Sequence, residues 1–526
     1  MHVWHPLGLV FRHRSAAHPL AHRDFGAGGF PLEGAQDQLA LPHQIETCPI
    51  EGVQAVIKQG GGIGKVGHQM GYPIHQRYKL IHQQRIILHI ISPMFFLHFT
   101  MGRDGLQVLF FLTKVRFGEI MTVTHHQGGS TMTFTQWTVN QNYPAVDGEA
   151  FAEGGRFRAV LSGDHYRLAN ALSIVHGFSQ SGRYRIHYQL ETTPGVKTQI
   201  VYSWYDAAGT PMFRAHAVSG EEIPCPEGAE ALEMNVCFYG RTQGEGSISD
   251  IRAEYVGPYI PNKVKLAAIM GGPRKEPTTQ ADNIRAAGAK IDAAAGEGAD
   301  LVLLCELYNA WGVTDMGPGE GARMTDPAVT MLRDKAKEHG IFVAASVKFQ
   351  DENGLLSNTI LLFDRKGELV GRYDKSHITM REKWTGTVPG DDLVVFDTEL
   401  GRIGCAICWD RFMPELPRLL FLKGVDIVLN PTASDAYALK NAHSAYPNAM
   451  IFVTAQVTAD PEITRIEGRR GQVLATADPE KGFAIAEVDV NAYDPVYWLS
   501  APAADTDPRS VYHHERRPEM YADLSK

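Results

Sequence analysis

Residues 401–424 read as a buried strand that turns abruptly into a helix, and no other stretch constrains the fold of this chain as much. Residues 402–407 are mostly small and apolar without helical spacing, as a strand covered on both faces would be. Polar residues follow, Pro414 suits the first turn of a helix, and Gly424 suits its end. The joint between strand and helix falls on Cys408. A side chain there is pushed out of the sheet edge, next to a helix N-terminus that favours an anion. The sequence therefore predicts a thiol of lowered pKa that acts as a nucleophile. A small cysteine filling the core is the alternative that this stretch alone leaves open.

Two further strands end in charged residues. Residues 299–307 form an apolar run that reaches Glu306, and a carboxylate at the end of a buried strand is costly unless it is paired or working. The strand at 368–373 is followed by Lys375. Glu306, Lys375 and Cys408 thus leave three strand ends in that order. They supply a base, a cation for an oxyanion and a nucleophile, which is what amide hydrolysis needs.

This ordered set resembles the Glu-Lys-Cys triad of the nitrilase superfamily of carbon-nitrogen hydrolases. Other points agree in order: the strand at 357–364 before the lysine, the segment 442–457 with Asn448, the hairpin at 471–475, and the Arg-Arg-Pro-Glu-Met-Tyr ending at 516–521. The resemblance covers 262–526 and implies an αββα four-layer sandwich, where periodicity alone gives α/β. It implies that Cys408 forms a thioester and Glu306 serves as base. Lys375 and the backbone N–H of Trp409 would hold the oxyanion, and Glu382 would position substrate. Neither metal nor organic cofactor is then required, and self-association is implied. His377 shares the face of Lys375 if the strand's alternation continues and is then a rival base, but the resembled family uses no catalytic histidine and a supporting polar role is the preferred reading; Asp410 is either an orienting residue or a cap of the next helix. Trp409-Asp410 after the nucleophile is similar to the amide and carbamoyl-amide branches, including N-carbamoylputrescine amidases. Met413, inserted before Pro414-Glu415, departs from them. The expected substrate is a linear amide or an N-carbamoyl amine, with ammonia as a product. A nitrile substrate, or a sugar-binding protein with a vestigial hydrolase domain, are the alternatives. The loops at 308–315 and 434–440 are individual to this chain and leave the substrate open.

At 526 residues the chain exceeds one ordinary core. Its net charge of −9 gives no basic footprint for nucleic acid. Six scattered cysteines suit a reducing compartment, and the single Cys405-x-x-Cys408 pair lacks the second pair of a zinc site. A cytoplasmic protein is expected.

Residues 1–120 differ from the rest, with eleven of the 22 histidines and only seven Asp plus Glu. They show no sustained helical or strand period and read as a disordered arm or as an over-extended reading frame whose start is Met121 or Met132. Gly64-Lys65 fails as a phosphate loop because Val66 follows. The apolar run 86–101 is broken by His89, Pro93 and His98 and is shorter than the ~20 residues of a membrane span. Between 132 and 258, period-two strands at 182–191, 198–206 and 231–239 predict an antiparallel sandwich. Its pattern is similar to a galactose-binding-like jelly roll. That resemblance raises a sugar-stacking platform of Tyr202, Trp204, Tyr205 and Tyr239, with core filling as the preferred reading of the same residues.

Overall fold

The computed structural model describes residues 131–140, 146–178, 180–271, 277–433, 445–458, 460–498 and 504–525, together with five strands between 56 and 111. The chain divides into two units, Met1–Gly118 and Glu119–Lys526.

In the first unit Val56–Gln59 pairs with Gly62–Lys65, and His89–Ser92, Phe95–Gly102 and Gly105–Phe111 form an antiparallel meander. These strands fall within the stretch read from sequence as a disordered arm or an over-extended frame. Residues 97–102 alternate apolar with polar or small residues, whereas Gly105–Phe111 ends in a continuous apolar run. The apolar run 86–101 accordingly falls on two strands. Met121 and the remainder of 1–118 lie outside the described residues. Met132 sits in strand Thr131–Thr133, paired with Gly244–Gly257.

The second unit begins with two facing antiparallel sheets. One holds Thr138–Asn140, Arg167–His176, Ala229–Gly240, Lys197–Asp206 and Pro211–His216; the other holds Glu149–Glu153, Arg156–Leu161, Gly244–Gly257, Gly182–Thr192 and Glu222–Cys225. Inward-facing alternate residues such as Phe157, Ile186, Trp204, Leu232 and Phe238 share one core. This alternation corrects the stacking platform. Tyr202 and Trp204, at 2% and 0% exposure, face the core, and Trp204 lies edge-on to Phe178 at 4.8 Å. Tyr205 falls on the opposite face, where its hydroxyl meets Glu233. Four aromatics divided between two faces cannot present one surface to a sugar.

Two six-stranded sheets follow. The first runs Leu369–Asp374, Leu356–Phe363, Phe342–Gln350, Leu301–Leu303, Lys263–Ile269 and Phe483–Asp489; the second runs Val395–Thr398, Gly401–Cys405, Ile427–Thr432, Ile451–Gln456, Arg465–Glu467 and Val473–Thr476. Leu266, Leu303 and Ile360 of one meet Ile403, Ile427 and Val453 of the other in a common core. Helices Gln280–Gly296 and Pro327–His339 cover the outer face of the first sheet, and Glu415–Leu422 covers that of the second. Local signals set these helices. Thr279 accepts from Asp282 N at the start of one, and Pro327 opens the next, which ends at Gly340 with φ +63°. Sheets with most strand residues buried explain why these segments read as continuous apolar runs.

The C-terminal tail departs from the boundary drawn at 262. Val496–Trp498 and Ala504–Thr506 leave the hydrolase layers and extend the first sandwich sheet, with Asp505 opposite Phe213. Helix Pro508–His514 follows, and Ser510 Oγ accepts the backbone N–H of His216 at 2.9 Å. The tail thus ties the two parts of this unit together. Among the described residues, no helix is long and apolar enough to cross a membrane.

Candidate active site

The strand Gly401–Cys405 runs parallel to Ile427–Thr432 and ends two residues before the turn. Cys408 takes φ +48°, a left-handed conformation that a side chain bearing a Cβ adopts only under constraint. A 3-10 turn over Cys408–Phe412 then leads to helix Glu415–Leu422. Buried Asp410 holds this joint. Its Oδ2 accepts Ile407 N at 2.9 Å and the Tyr373 hydroxyl at 2.8 Å, and its Oδ1 accepts both the backbone N and Nδ1 of His377, each at 2.9 Å. Asp410 therefore both caps and orients. His377 is bound to Asp410, whose hydrogen bond holds the imidazole above its ordinary pKa against the effect of burial. That contact gives His377 a polar role in support of the Cys408 turn, the reading preferred for it over that of a rival base.

Glu306 lies just past strand Leu301–Leu303, before Leu307 at φ +48°. Lys375 follows strand Leu369–Asp374, and Glu382 lies on the short helix Met380–Trp384. The three meet. Lys375 Nζ donates to Glu306 Oε1 at 2.8 Å and to Glu382 Oε1 and Oε2 at 3.0 and 3.1 Å. Asn358 Nδ2 donates to Glu306 Oε1 at 2.9 Å and to Glu382 Oε1 at 2.8 Å. Ser346 Oγ in turn donates to Asn358 Oδ1 at 2.7 Å and accepts Leu307 N at 2.9 Å. Thr379 fixes Glu382 Oε2 through its backbone N–H and hydroxyl, at 2.7 and 2.9 Å. Every oxygen of the two carboxylates is bonded except Glu306 Oε2, which is buried without a partner.

Glu306, Lys375, Glu382 and Cys408 line one cavity of about 510 Å³, together with Trp311, Asn358 and Ala433. Glu306 is 3% exposed, Lys375 1% and Cys408 8%. Trp409 is different: its ring does not line the cavity but lies exposed, stacked on Phe412 at 4.7 Å. The site therefore has only its backbone to use.

Burial alone would lower Lys375, but the Glu306 carboxylate, the Cys408 sulfur and Glu382 together hold its ammonium above the ordinary lysine value. Burial likewise works against the Glu382 carboxylate, yet Lys375, Asn358 and Thr379 keep it below its ordinary value. Cys408 goes the other way. Burial first, and the Glu306 carboxylate second, push the thiol up to about 11, outweighing Lys375 and the hydrogen bonds to the Thr432 hydroxyl and Ala433 N–H. The expected lowered pKa is thus corrected: a short 3-10 turn brings too little dipole to offset desolvation. A thiol at about 11 leaves on the order of 10⁻⁴ as thiolate at pH 7. Alkylation of the Cys408 peptide by iodoacetamide, followed by mass spectrometry, is expected to accelerate about tenfold per pH unit between 7 and 10. A rate flat across that range would mean a thiolate already formed.

Asn358, Ser346, Thr432 and Ala433 were not singled out from sequence as site residues. Asn358 had a signal, because a polar residue inside strand Leu356–Phe363, all of it buried, must be bonded. The loop at 434–440 lies outside the described residues. Among the described residues, Asp292, Glu338 and His339 cluster at the surface, where Lys335 already pairs with Asp292 at 2.7 Å.

Residues 266–496 match the family model described as carbon-nitrogen hydrolase. That match takes in somewhat under half of the chain, and the curated relatives that the chain is similar to include amidases. The N-carbamoylputrescine amidase of Solanum tuberosum is 31% identical over 161 residues, which are 29% of this chain and 53% of that protein. The omega-amidase of Homo sapiens is 26% identical over 233 residues, 40% of this chain and 84% of that protein. An amidase from Nesterenkonia sp. aligns in structure over 51% of this chain and 100% of its own, at 20% identity and a TM-score of 0.41. The chain spans about half the length of the first curated relatives it matches.

Proposed function

We propose that the site hydrolyses the carbon–nitrogen bond of a linear amide or N-carbamoyl amine through a thioester on Cys408. The observation that carries this reading is Glu306: Oε1 is fixed on Lys375 and Asn358, while Oε2 is left unbonded in the cavity that Cys408 lines. A carboxylate held this way is an acceptor for the Cys408 proton.

Glu306 takes the Sγ proton as sulfur bonds to the carbonyl carbon and the π electrons move to oxygen. Lys375 and the backbone N–H of Trp409 stabilise that oxyanion, and one such preorganised donor is worth about 3–4 kcal/mol. Collapse breaks the carbon–nitrogen bond, and Glu306 returns its proton to the departing nitrogen, releasing ammonia from a primary amide. Water then attacks the thioester, giving its proton to Glu306, which passes it to sulfur as the acid leaves. The high thiol pKa suits this order, because proton removal is coupled to attack. The test is ammonia release from a panel of linear primary amides, N-carbamoyl amines and matched nitriles. Turnover of amides or carbamoyl amines is expected, and turnover of nitriles alone would overturn the assignment.

A further inference from the structure

From the hydrogen bonds around Glu306 and Glu382 we infer that Asn358 is a positioning residue that decides which oxygen can receive the Cys408 proton. This rests on the hydrolase reading above and deepens it. Two donors and two acceptors close a ring. Lys375 Nζ donates to Oε1 of Glu306 at 2.8 Å and to Oε1 of Glu382 at 3.0 Å. Asn358 Nδ2 uses its two N–H groups on the same two oxygens, at 2.9 and 2.8 Å. A carboxylate oxygen offers two lone pairs, so both Oε1 atoms are filled. Glu382 Oε2 is filled as well, by Lys375 Nζ at 3.1 Å and by the backbone N–H and hydroxyl of Thr379 at 2.7 and 2.9 Å. Of the four oxygens, Glu306 Oε2 alone can take up a proton without a bond being broken, and it is buried and unbonded.

The amide can do this in one orientation only. Turned over, it would set its own Oδ1 against two carboxylate oxygens with no hydrogen between them. A second chain of bonds prevents the turn. Leu307 N, from the residue that follows Glu306, donates to Ser346 Oγ at 2.9 Å, which leaves the Ser346 hydroxyl to donate to Asn358 Oδ1 at 2.7 Å. Ser346 and Asn358 are 0% and 1% exposed, so these bonds are the ones that satisfy their polar atoms. In Asn358→Leu, which keeps the branched shape, each Oε1 recovers a lone pair. A proton can then settle on either carboxylate or between them, and the base is no longer confined to Glu306 Oε2. Among the described residues, the other titratable groups near the pair are Cys408, Lys348 and Arg381, which line the same cavity, and Arg411, whose charge Glu306 influences. None of these is altered in the variants that test the role.

The readout is the pH profile of kcat/KM for ammonia release by the full-length protein, on the amide or carbamoyl amine of the panel that the parent hydrolyses fastest. In Asn358→Leu the acid-side fall in activity is expected to move up by about one pH unit, because protons compete for lone pairs that the amide had filled. On the plateau kcat should drop by about 10- to 100-fold with KM changed by less than about threefold, as for a group that acts on the base and not on the substrate. Ser346→Ala leaves the amide in place but free to turn, and should move the acid side in the same direction by about half a unit. Misfolding would lower the amount of active enzyme without shifting the profile along the pH axis, so the position of the acid side separates this role from a structural one. An acid side unmoved in both variants, or activity abolished in both, overturns the inference while leaving the hydrolase reading intact. No turnover of any amide or carbamoyl amine by the parent protein overturns the hydrolase reading, and this inference with it.

Discussion

The Cys408→Ala variant is expected to lose ammonia release from every amide that the parent protein hydrolyses, by on the order of 10⁴-fold or more. The size of this effect follows from the mechanism. Without sulfur there is no thioester, and water activated by Glu306 would have to attack the amide itself, a far poorer electrophile than a thioester. Glu306→Gln should cost less, about 10²–10⁴-fold, because it removes proton transfer but keeps the nucleophile. The pair of variants separates two roles that either one alone would confuse. In Glu306→Gln the sulfur remains and so does Lys375, so alkylation at Cys408 should still proceed. It should indeed start from a lower thiol pKa, since Glu306 is among the groups that hold that pKa up. Cys408→Ala removes one buried atom, at a cost in stability of about 1 kcal/mol, so a loss of activity will not be a loss of fold. Ammonia release unchanged in Cys408→Ala would remove the thioester from the account.

How far the sequence disclosed this site depends on which residue is asked about. Glu306, Lys375 and Cys408 were legible because each breaks a rule at a strand end. A carboxylate, an ammonium and a thiol stand where an apolar run would be cheaper. Glu382 was legible only by resemblance, since a glutamate on a loop has no physical signature of its own. What joins these residues was not legible. Asn358 bridges the two carboxylates from a strand that reads as structural, and Ser346 supports it from another. Bonds between residues 52 or 24 positions apart are set by sheet register, which periodicity does not report. The sign of the Cys408 shift was missed for a related reason. The strand-to-helix joint is visible in sequence, but the depth at which it lies is decided by both sheets. The same gap explains the tail: Val496–Trp498 carries strand propensity, yet only the folded chain assigns it, with Ala504–Thr506, to the first sandwich.

Replacing the shared cation tests the arrangement most severely. In Lys375→Met, Glu306 and Glu382 lose the ammonium that bonds both of them, while Asn358 Nδ2 still holds their Oε1 atoms close. Breaking a buried ion pair from one side costs about 3–5 kcal/mol, because the surviving charges stay buried without compensation. Catalysis should fall by about 10²–10³-fold from the lost oxyanion donor, with a further loss if a carboxylate takes up a proton to relieve the repulsion. The pH dependence gives the sign. In the parent protein Glu382 is held below its ordinary value of 4.5, so the stability it contributes is present above pH 4.5 and is lost as pH falls through its lower folded value. In Lys375→Met the paired carboxylates titrate above the unfolded value, so their penalty grows as pH rises past 4.5. The difference in urea midpoint between parent and variant should therefore be widest near pH 7 and should narrow towards pH 4. A difference that is constant with pH would show that the lysine acts through packing alone. Lys375→Arg is the control: it keeps the charge, so it should recover most of the stability. It should recover little of the activity, because the broader guanidinium cannot occupy the point that Nζ holds between two carboxylates and the cavity.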